Sequence, residues 1–457
     1  MSDSAAVLEC DFLVIGGGMA GLSAAGWAAE RGARVIVVER GADIGGSAFL
    51  SGGVLWTATS PGRMALYGGG DMALASQVLD TYPVALDWLR QRGVAISCAM
   101  PVLHGRGYQI DIIEHLRGCA RMVEQAGGAL ALETETLELM TDGSGAVAGA
   151  RTSHPDGAIE IHAGATLIAT GGYQASPELR ARYIHPHARD MLLRSNPRSD
   201  GAGIQLGLRA GAMMNEGNPG FYGHLVSESR EWGLERHYTG LSQYHSDQSL
   251  LLNQAGERFC DETTGDHTNT YHTLRQPGAR ALCFWDERVH RAHATQAVVA
   301  SAPPLDKMQV ALQHGGKGIV AGTLAEVAAF ADAQGFAGAA AVRTIEDYNQ
   351  RTRSGWEMLV PGRADVCQAY DQAPFYALVV HPAITFTFGG LVIDGDGRVL
   401  GRDGQAIPGL FAAGSDAGGA FGTGYAGGLA MAMTFGIRAA CAAGWNWTTR
   451  SLGSERL

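Results

Sequence analysis

Apolar positions near the start of the chain switch between two rhythms. Cys10 to Ile15 ("CDFLVI") is a short apolar run broken only by Asp11, which predicts a buried strand. Three glycines follow. Met19 to Arg31 is rich in Ala and predicts a helix, with Gly32 as its stop. Arg34 to Val38 is a second short apolar run, closed by Glu39. The order is strand, turn, helix, strand. Further along, "TLAEVAAFADAQG" has helical spacing, and "DGSG" (142–145) and "DGDG" (394–397) read as hairpin turns between strand-like runs. The longest apolar stretch, Ala426 to Trp445, contains Arg438 and several glycines, so it predicts a buried helix, not a membrane span.

The first turn carries chemistry. Gly16, Gly18 and Gly21 form GxGxxG, and Glu39 stands 23 residues after Gly16. Gly16 permits the turn, Gly18 lets backbone approach a pyrophosphate, and Gly21 lets helix and strand pack closely. The N–H groups of Met19 and Ala20 open the helix, where its dipole favours a phosphate. Glu39, with Arg40 beside it, stands where a ribose hydroxyl is bound. The full context therefore predicts a dinucleotide site.

Composition narrows the class. The 457 residues are 46% hydrophobic and 17% charged, which predicts a folded chain of two or three domains. A net charge of −11 without a basic block excludes a nucleic-acid partner. Seven scattered cysteines form no metal spacing and predict reduced thiols in a cytoplasmic protein. The acidic start of the sequence does not read as a signal peptide.

After the second strand the chain does not continue as an NAD domain. "GADIGGSAFLSGGVLW" (41–56) instead offers backbone-exposing pairs around Gly46–Ser47 and Ser51–Gly52–Gly53, suited to an extended ligand. With "LIATGGYQAS" (167–176), "SDGAGIQLGLRAGA" (199–212), "HPAITFTFGGLVID" (381–394) and "IPGLFAAGSDAGGAFGTGYAGGLAMAMTFGIRAA" (407–440), it resembles the flavoproteins of the fumarate reductase/succinate dehydrogenase superfamily, in the ketosteroid and tricarballylate dehydrogenase branch. The resemblance implies an α/β chain. A Rossmann-like FAD domain (1–220 and 366–457) carries an inserted α+β cap (221–365), and substrate lies between cap and flavin. It implies FAD contacts from Ala169, Thr170, Gly171, Asp200, Gly390 and Gly414, and from Gly428 and Leu429 at the start of a helix. Ser415 or Asp416 is expected to bond the ribityl chain. No histidine occurs between Gly41 and Gly53, so the FAD is expected to be noncovalent. There is no second nicotinamide motif and no CxxCH. Electrons are therefore expected to pass to or from a separate partner, such as a quinone or another flavoprotein.

The resemblance also implies the reaction: hydride exchange with flavin N5 and proton transfer at the neighbouring carbon. The clamping arginine of fumarate reductases falls at Tyr425, their histidine pair at Thr385 and Phe386, and their acid arginine at Gly265 or Asp266. Loss of both arginines argues against a dicarboxylate. A phenol at Tyr425 suits a ketone, as in the ketosteroid dehydrogenases. His224 matches a substrate-binding histidine of the superfamily, and Asp266 and Tyr271 are the candidates for the proton-transfer group. The expected function is an FAD-dependent dehydrogenase that desaturates a C–C bond beside a carbonyl. The alternatives are an enone, enoate or polycarboxylate oxidoreductase running in reverse, or an isomerase or hydratase without net redox. Phe221, Tyr222, Trp232, Tyr238 and Tyr244 hint at an apolar or ring-shaped substrate.

Overall fold

A computed structural model describes residues 6–227, 238–297, 303–354, 359–365 and 368–446; Trp232 lies outside them. The chain divides into two compact units. The first comprises Met1–Leu179, Ser195–Phe221 and Phe386–Leu457, the second Arg180–Arg194 and Tyr222–Thr385.

The first unit is built on a mostly parallel sheet. Strand Ala6–Ile15 lies between Val35–Val38 and Gly157–Ile168 and runs parallel to both. Ala406–Ala412 and Ala129–Ala131 extend the parallel region on either side. The helix Met19–Ala29 crosses from the first strand to the second as the sequence predicts, and all of its residues are buried. Phe12 and Trp27 anchor this layer at 0% and 2% exposure, each contributing about 2 kcal/mol by burial. The "DGSG" turn joins Glu135–Thr141 to Val147–His154 as an antiparallel hairpin, with Asp142 Oδ1 accepting from the Ser144 N–H. The final apolar run forms the buried helix Gly428–Ala442. Among the described residues no helix is long and apolar enough to cross a membrane.

A small antiparallel sheet of Val54–Ala58, Gly105–Gln109 and Met100–Val102 belongs to the same unit. Its two-residue turn places Leu103 at φ +50°, a backbone region that a branched side chain rarely occupies.

The second unit has its own sheet and core. Strand Phe375–Thr387 pairs antiparallel with Ala281–Asp286 and Gly318–Ala321, and parallel with Leu192–Leu193. Phe284, Trp285, Leu378 and Val380 lie at the centre of the core. The expected helix is Leu324–Ala333, opened by a reciprocal capping box between Thr323 and Glu326. The division differs from the expected one. Residues 368–385 and 180–194 stand with the second unit because their strands hydrogen-bond into its sheet. That pairing is nonlocal and leaves no mark in the local pattern.

Candidate active site and cofactor cradle

The glycine loop is sealed on one side and open on the other. A Cβ at Gly21 would stand 2.0 Å from the Gly16 carbonyl oxygen, so any side chain there would part helix from turn. A Cβ at Gly18 would meet nothing nearer than the Gly45 oxygen at 3.9 Å. The helix Met19–Ala29 begins at this open face without a side-chain cap. Its first N–H groups lack intrahelical acceptors, and its dipole is positive there. Open space, spare N–H donors and a helix N-terminus fit a pyrophosphate.

Glu39 closes the loop from the second strand. Its carboxylate accepts from Gly17 N–H at 2.8 Å and Gly41 N–H at 2.6 Å. Gly45 N–H donates to Gly17 O at 2.8 Å and draws the short helix Gly46–Leu50 against the loop. Ser47 Oγ lies 3.0 Å from Ser195 Oγ, while Ser51 Oγ donates to Ala48 O and accepts from Gly53 N–H. Gly52 O accepts from the Gln109 amide. Arg40 and Asp200 come together as an ion pair at 2.9 Å, and Asp200 also caps the helix Ala202–Arg209.

Asp416 has a different place from the one expected. Its carboxylate is fully buried, and both oxygens face the turn after Ala169. They accept from Thr170 Oγ1 at 3.0 and 3.1 Å, Gly171 N–H at 2.9 Å and Gly172 N–H at 3.2 Å. Burial pushes its pKa up from the ordinary carboxylate value, and these donors pull against that rise. With only donors around it, the ionised form is the one the site satisfies. Asp416 thus locks the "ATGG" turn to the C-terminal segment. Gly390 packs on its backbone, where a Cβ would meet Asp416 O at 2.6 Å, and Gly414 precedes it at φ +68°. Ser415 lies over Gly172.

Tyr425 stands in an aromatic box within the first unit. Trp56, Phe386 and Phe421 meet its ring edge-on at centroid distances of 5.3, 5.8 and 5.9 Å. Its hydroxyl accepts from Gly428 N–H at 3.1 Å, at the opening of the helix Gly428–Ala442 that continues through Leu429. His104 bonds to the Tyr425 backbone and stacks on Tyr67 at 4.1 Å; burial pushes its pKa down.

The second unit holds a polar cluster around His224. The ring is buried, and Nδ1 is hydrogen-bonded to the Asp266 carboxylate. Asp266 also accepts from Leu225 N–H at 3.2 Å and Ser246 Oγ at 3.3 Å, from the first turn of the helix Asp266–Leu274. Burial first, and then the Arg194 cation, push the His224 pKa below its ordinary value; Asp266 opposes them. Tyr244 and Tyr222 meet the His224 ring edge-on at 4.8 and 4.9 Å. The structure therefore brings His224 and Asp266 together. Tyr271, on the next turn of that helix, has the Arg275 guanidinium over its ring at 3.5 Å.

Several residues here carry no local signal in the sequence. Trp56 and His104 reach Tyr425 from a separate small sheet, and Arg194 reaches Tyr244 from a segment that the sequence assigns to the cofactor half. Arg258, by contrast, pairs with Glu262 only four residues away.

Residues 11–429 match the FAD binding domain family. The chain is 26% identical to the fumarate reductase (cytochrome) of Shewanella frigidimarina over 93% of its own length and 75% of that protein. It is 24% identical to the 4-oxocyclohex-2-ene-1-carboxylate 5-dehydrogenase of Sinomonas cyclohexanicum, over 94% and 93% of the two chains. Its fold matches the 3-ketosteroid-Δ4-(5α)-dehydrogenase of Rhodococcus jostii RHA1 with a TM-score of 0.76 at 21% identity, covering 97% and 98% of the two chains. The glycine loop, Glu39 and the Asp416-locked turn fit the cofactor that this family holds. The chain thus belongs to the FAD binding domain family, within the fumarate reductase/succinate dehydrogenase flavoproteins, and is an FAD-dependent oxidoreductase acting on CH–CH bonds.

Proposed function

We propose that the enzyme is a dehydrogenase that desaturates a C–C bond beside a carbonyl, with noncovalent FAD and a separate electron acceptor. The observation that carries this reading is the hydrogen bond between buried His224 and Asp266. A carboxylate on Nδ1 fixes the imidazole as the Nδ1–H tautomer and leaves Nε2 as a lone-pair acceptor. With its pKa held below the ordinary value, His224 is neutral at pH 7 and able to take a proton. Asp266 orients the ring and stabilises its charged form, so the proton goes to His224 and not to Asp266.

FAD, when bound, accepts the two electrons and one hydrogen that leave the substrate carbon. Tyr425 serves the carbonyl: a phenol polarises a ketone without the cost of burying a charge. Gly428 N–H, bonded to the phenol oxygen, supports negative charge developing there. The edge-on rings of Trp56 and Phe386 hold the phenol ring in place.

The reverse reaction is the second reading. One relative is named a fumarate reductase, while another is named a dehydrogenase of an oxo-carboxylate. Anaerobic mixing of the holoenzyme with saturated ketones and carboxylates separates the two. Bleaching of the flavin absorbance by a saturated compound supports desaturation. Failure to bleach, with reoxidation of dithionite-reduced enzyme by an enone or enoate, would make the enzyme a reductase. Acid precipitation should release free FAD to the supernatant; yellow colour kept in the pellet would refute noncovalent binding.

A further inference from the structure

Arg194 presents a charge that the second unit does not balance. Its guanidinium donates from Nε to Ser242 Oγ at 3.0 Å, from Nη1 to Thr385 Oγ1 at 3.3 Å and from Nη2 to Tyr244 Oη at 2.8 Å. All three acceptors are neutral hydroxyls. Among the described residues no carboxylate lies within ion-pair distance of it. Two buried arginines of the same unit, Arg258 and Arg363, are treated differently. Arg258 binds Glu262 directly, and Arg363 lies 3.9 Å from the same carboxylate. A cation drawn partly out of water without a counter-ion is costly, so its place calls for an anion that arrives from outside.

The acid beside His224 is already committed. The Asp266 carboxylate is taken up by His224, the Leu225 N–H and Ser246. Arg194 meanwhile keeps donors to spare. A guanidinium has five N–H groups, and three are used, which leaves one on each terminal nitrogen. Two such donors on one planar group match the two oxygens of a carboxylate. The hydroxyls of Ser242, Tyr244 and Thr385 hold that plane in place. Tyr244 also packs against His224 at 4.8 Å, so the cation and the proton-transfer histidine form one continuous group.

We propose that Arg194 receives a carboxylate of the substrate, and that the substrate is a carboxylic acid whose reacting carbons lie beside a separate carbonyl. Thr385 stands where the fumarate reductases carry a histidine, and its hydroxyl now positions this arginine. The missing family arginines thus do not mean a neutral substrate. The proposal rests on the reading above for the reaction, but not for the binding.

The test compares 4-oxocyclohexane-1-carboxylate, succinate and 3-phenylpropionate with their amides on holoenzyme, by calorimetry and by anaerobic flavin absorbance. Wild type should bind at least one of the acids about 100-fold tighter than its amide. Arg194→Gln should erase that preference. Arg194→Lys should retain part of it, since an ammonium keeps the charge but not the fork. No acid preference in wild type, or an undiminished one in the Gln variant, would overturn the proposal. If the Gln variant does not fold, the acid–amide comparison in wild type and the Lys variant still decide. Arg194-dependent binding without flavin bleaching would leave this site standing and sink the dehydrogenase reading. Equal bleaching of wild type and Gln variant at the same half-saturation would do the reverse.

Discussion

Replacing Asp416 with asparagine removes one oxygen from the middle of a three-donor nest. The two carboxylate oxygens accept from Gly171 N–H, Gly172 N–H and Thr170 Oγ1, at 2.9 to 3.2 Å. An amide keeps one acceptor and turns an NH2 group toward the other backbone N–H. One charge-assisted hydrogen bond is lost, about 1.5–3 kcal/mol, and one buried N–H goes unsatisfied, about 1–3 kcal/mol. Relief from burying a charge offsets part of this. A net cost of about 3 kcal/mol remains, equivalent to about 100-fold in an equilibrium constant. The lesion falls on the turn that fastens Ile168 and the helix Ala202–Arg209 to the C-terminal segment, so it should appear as lost flavin. The assay is fluorescence titration of apoprotein with FAD, with urea unfolding of the apoprotein alongside. Asp416→Asn should weaken FAD binding or lower apoprotein stability by that amount, divided between the two. A variant that binds FAD within twofold of wild type and unfolds at the same urea concentration would refute the lock.

Gly21→Ala should abolish flavin binding, because its methyl would sit 2.0 Å from the Gly16 oxygen; equilibrium dialysis with FAD checks this. His224→Gln should lower kcat about 10²–10⁴-fold with FAD content intact, and Asp266→Asn should lower it less while shifting the pH–rate profile; unchanged kcat in His224→Gln would remove the histidine from the reaction. Acid sensitivity follows from His115, whose pKa burial pushes down to about 3. The unfolded chain binds that proton near pH 6.5 and the folded chain does not, so its contribution is complete above pH 6.5 and is lost as pH falls toward 3. The slope is about 1.4 kcal/mol per pH unit, and His115→Asn should flatten by that amount the decline of the unfolding free energy, read from urea titrations between pH 6 and 4.

The cofactor half was legible because its signals are local. Strand, glycine turn, helix and acid follow one another within about thirty residues, and each obeys rules of backbone conformation that neighbours do not change. Asp416 was read as a ligand group because sequence gives its position but not its direction; its partners lie 244 to 246 residues earlier. Arg194 was invisible for a similar reason. Its three acceptors are 48, 50 and 191 residues away, and an arginine in "LLRSNPRSD" carries no period and no motif. Residues 368–385 were assigned to the wrong side because a strand's neighbours, not its own pattern, decide which sheet it joins.

What distinguishes this chain within its family is where it spends its charge. At 425 it has a neutral phenol among Trp56, Phe386 and Phe421. An arginine there would face aromatic walls and the N–H at the start of the Gly428–Ala442 helix, which already carries positive potential. Two positive ends in one apolar box repel, and nothing on the described walls would balance them. The second unit shows the opposite arrangement. Arg194 is held by three hydroxyls that fix its direction without neutralising it. A cation that is aimed but not neutralised suits a molecule that carries a carboxylate. An uncharged ketone would leave Arg194 without its anion and gain nothing from that cost.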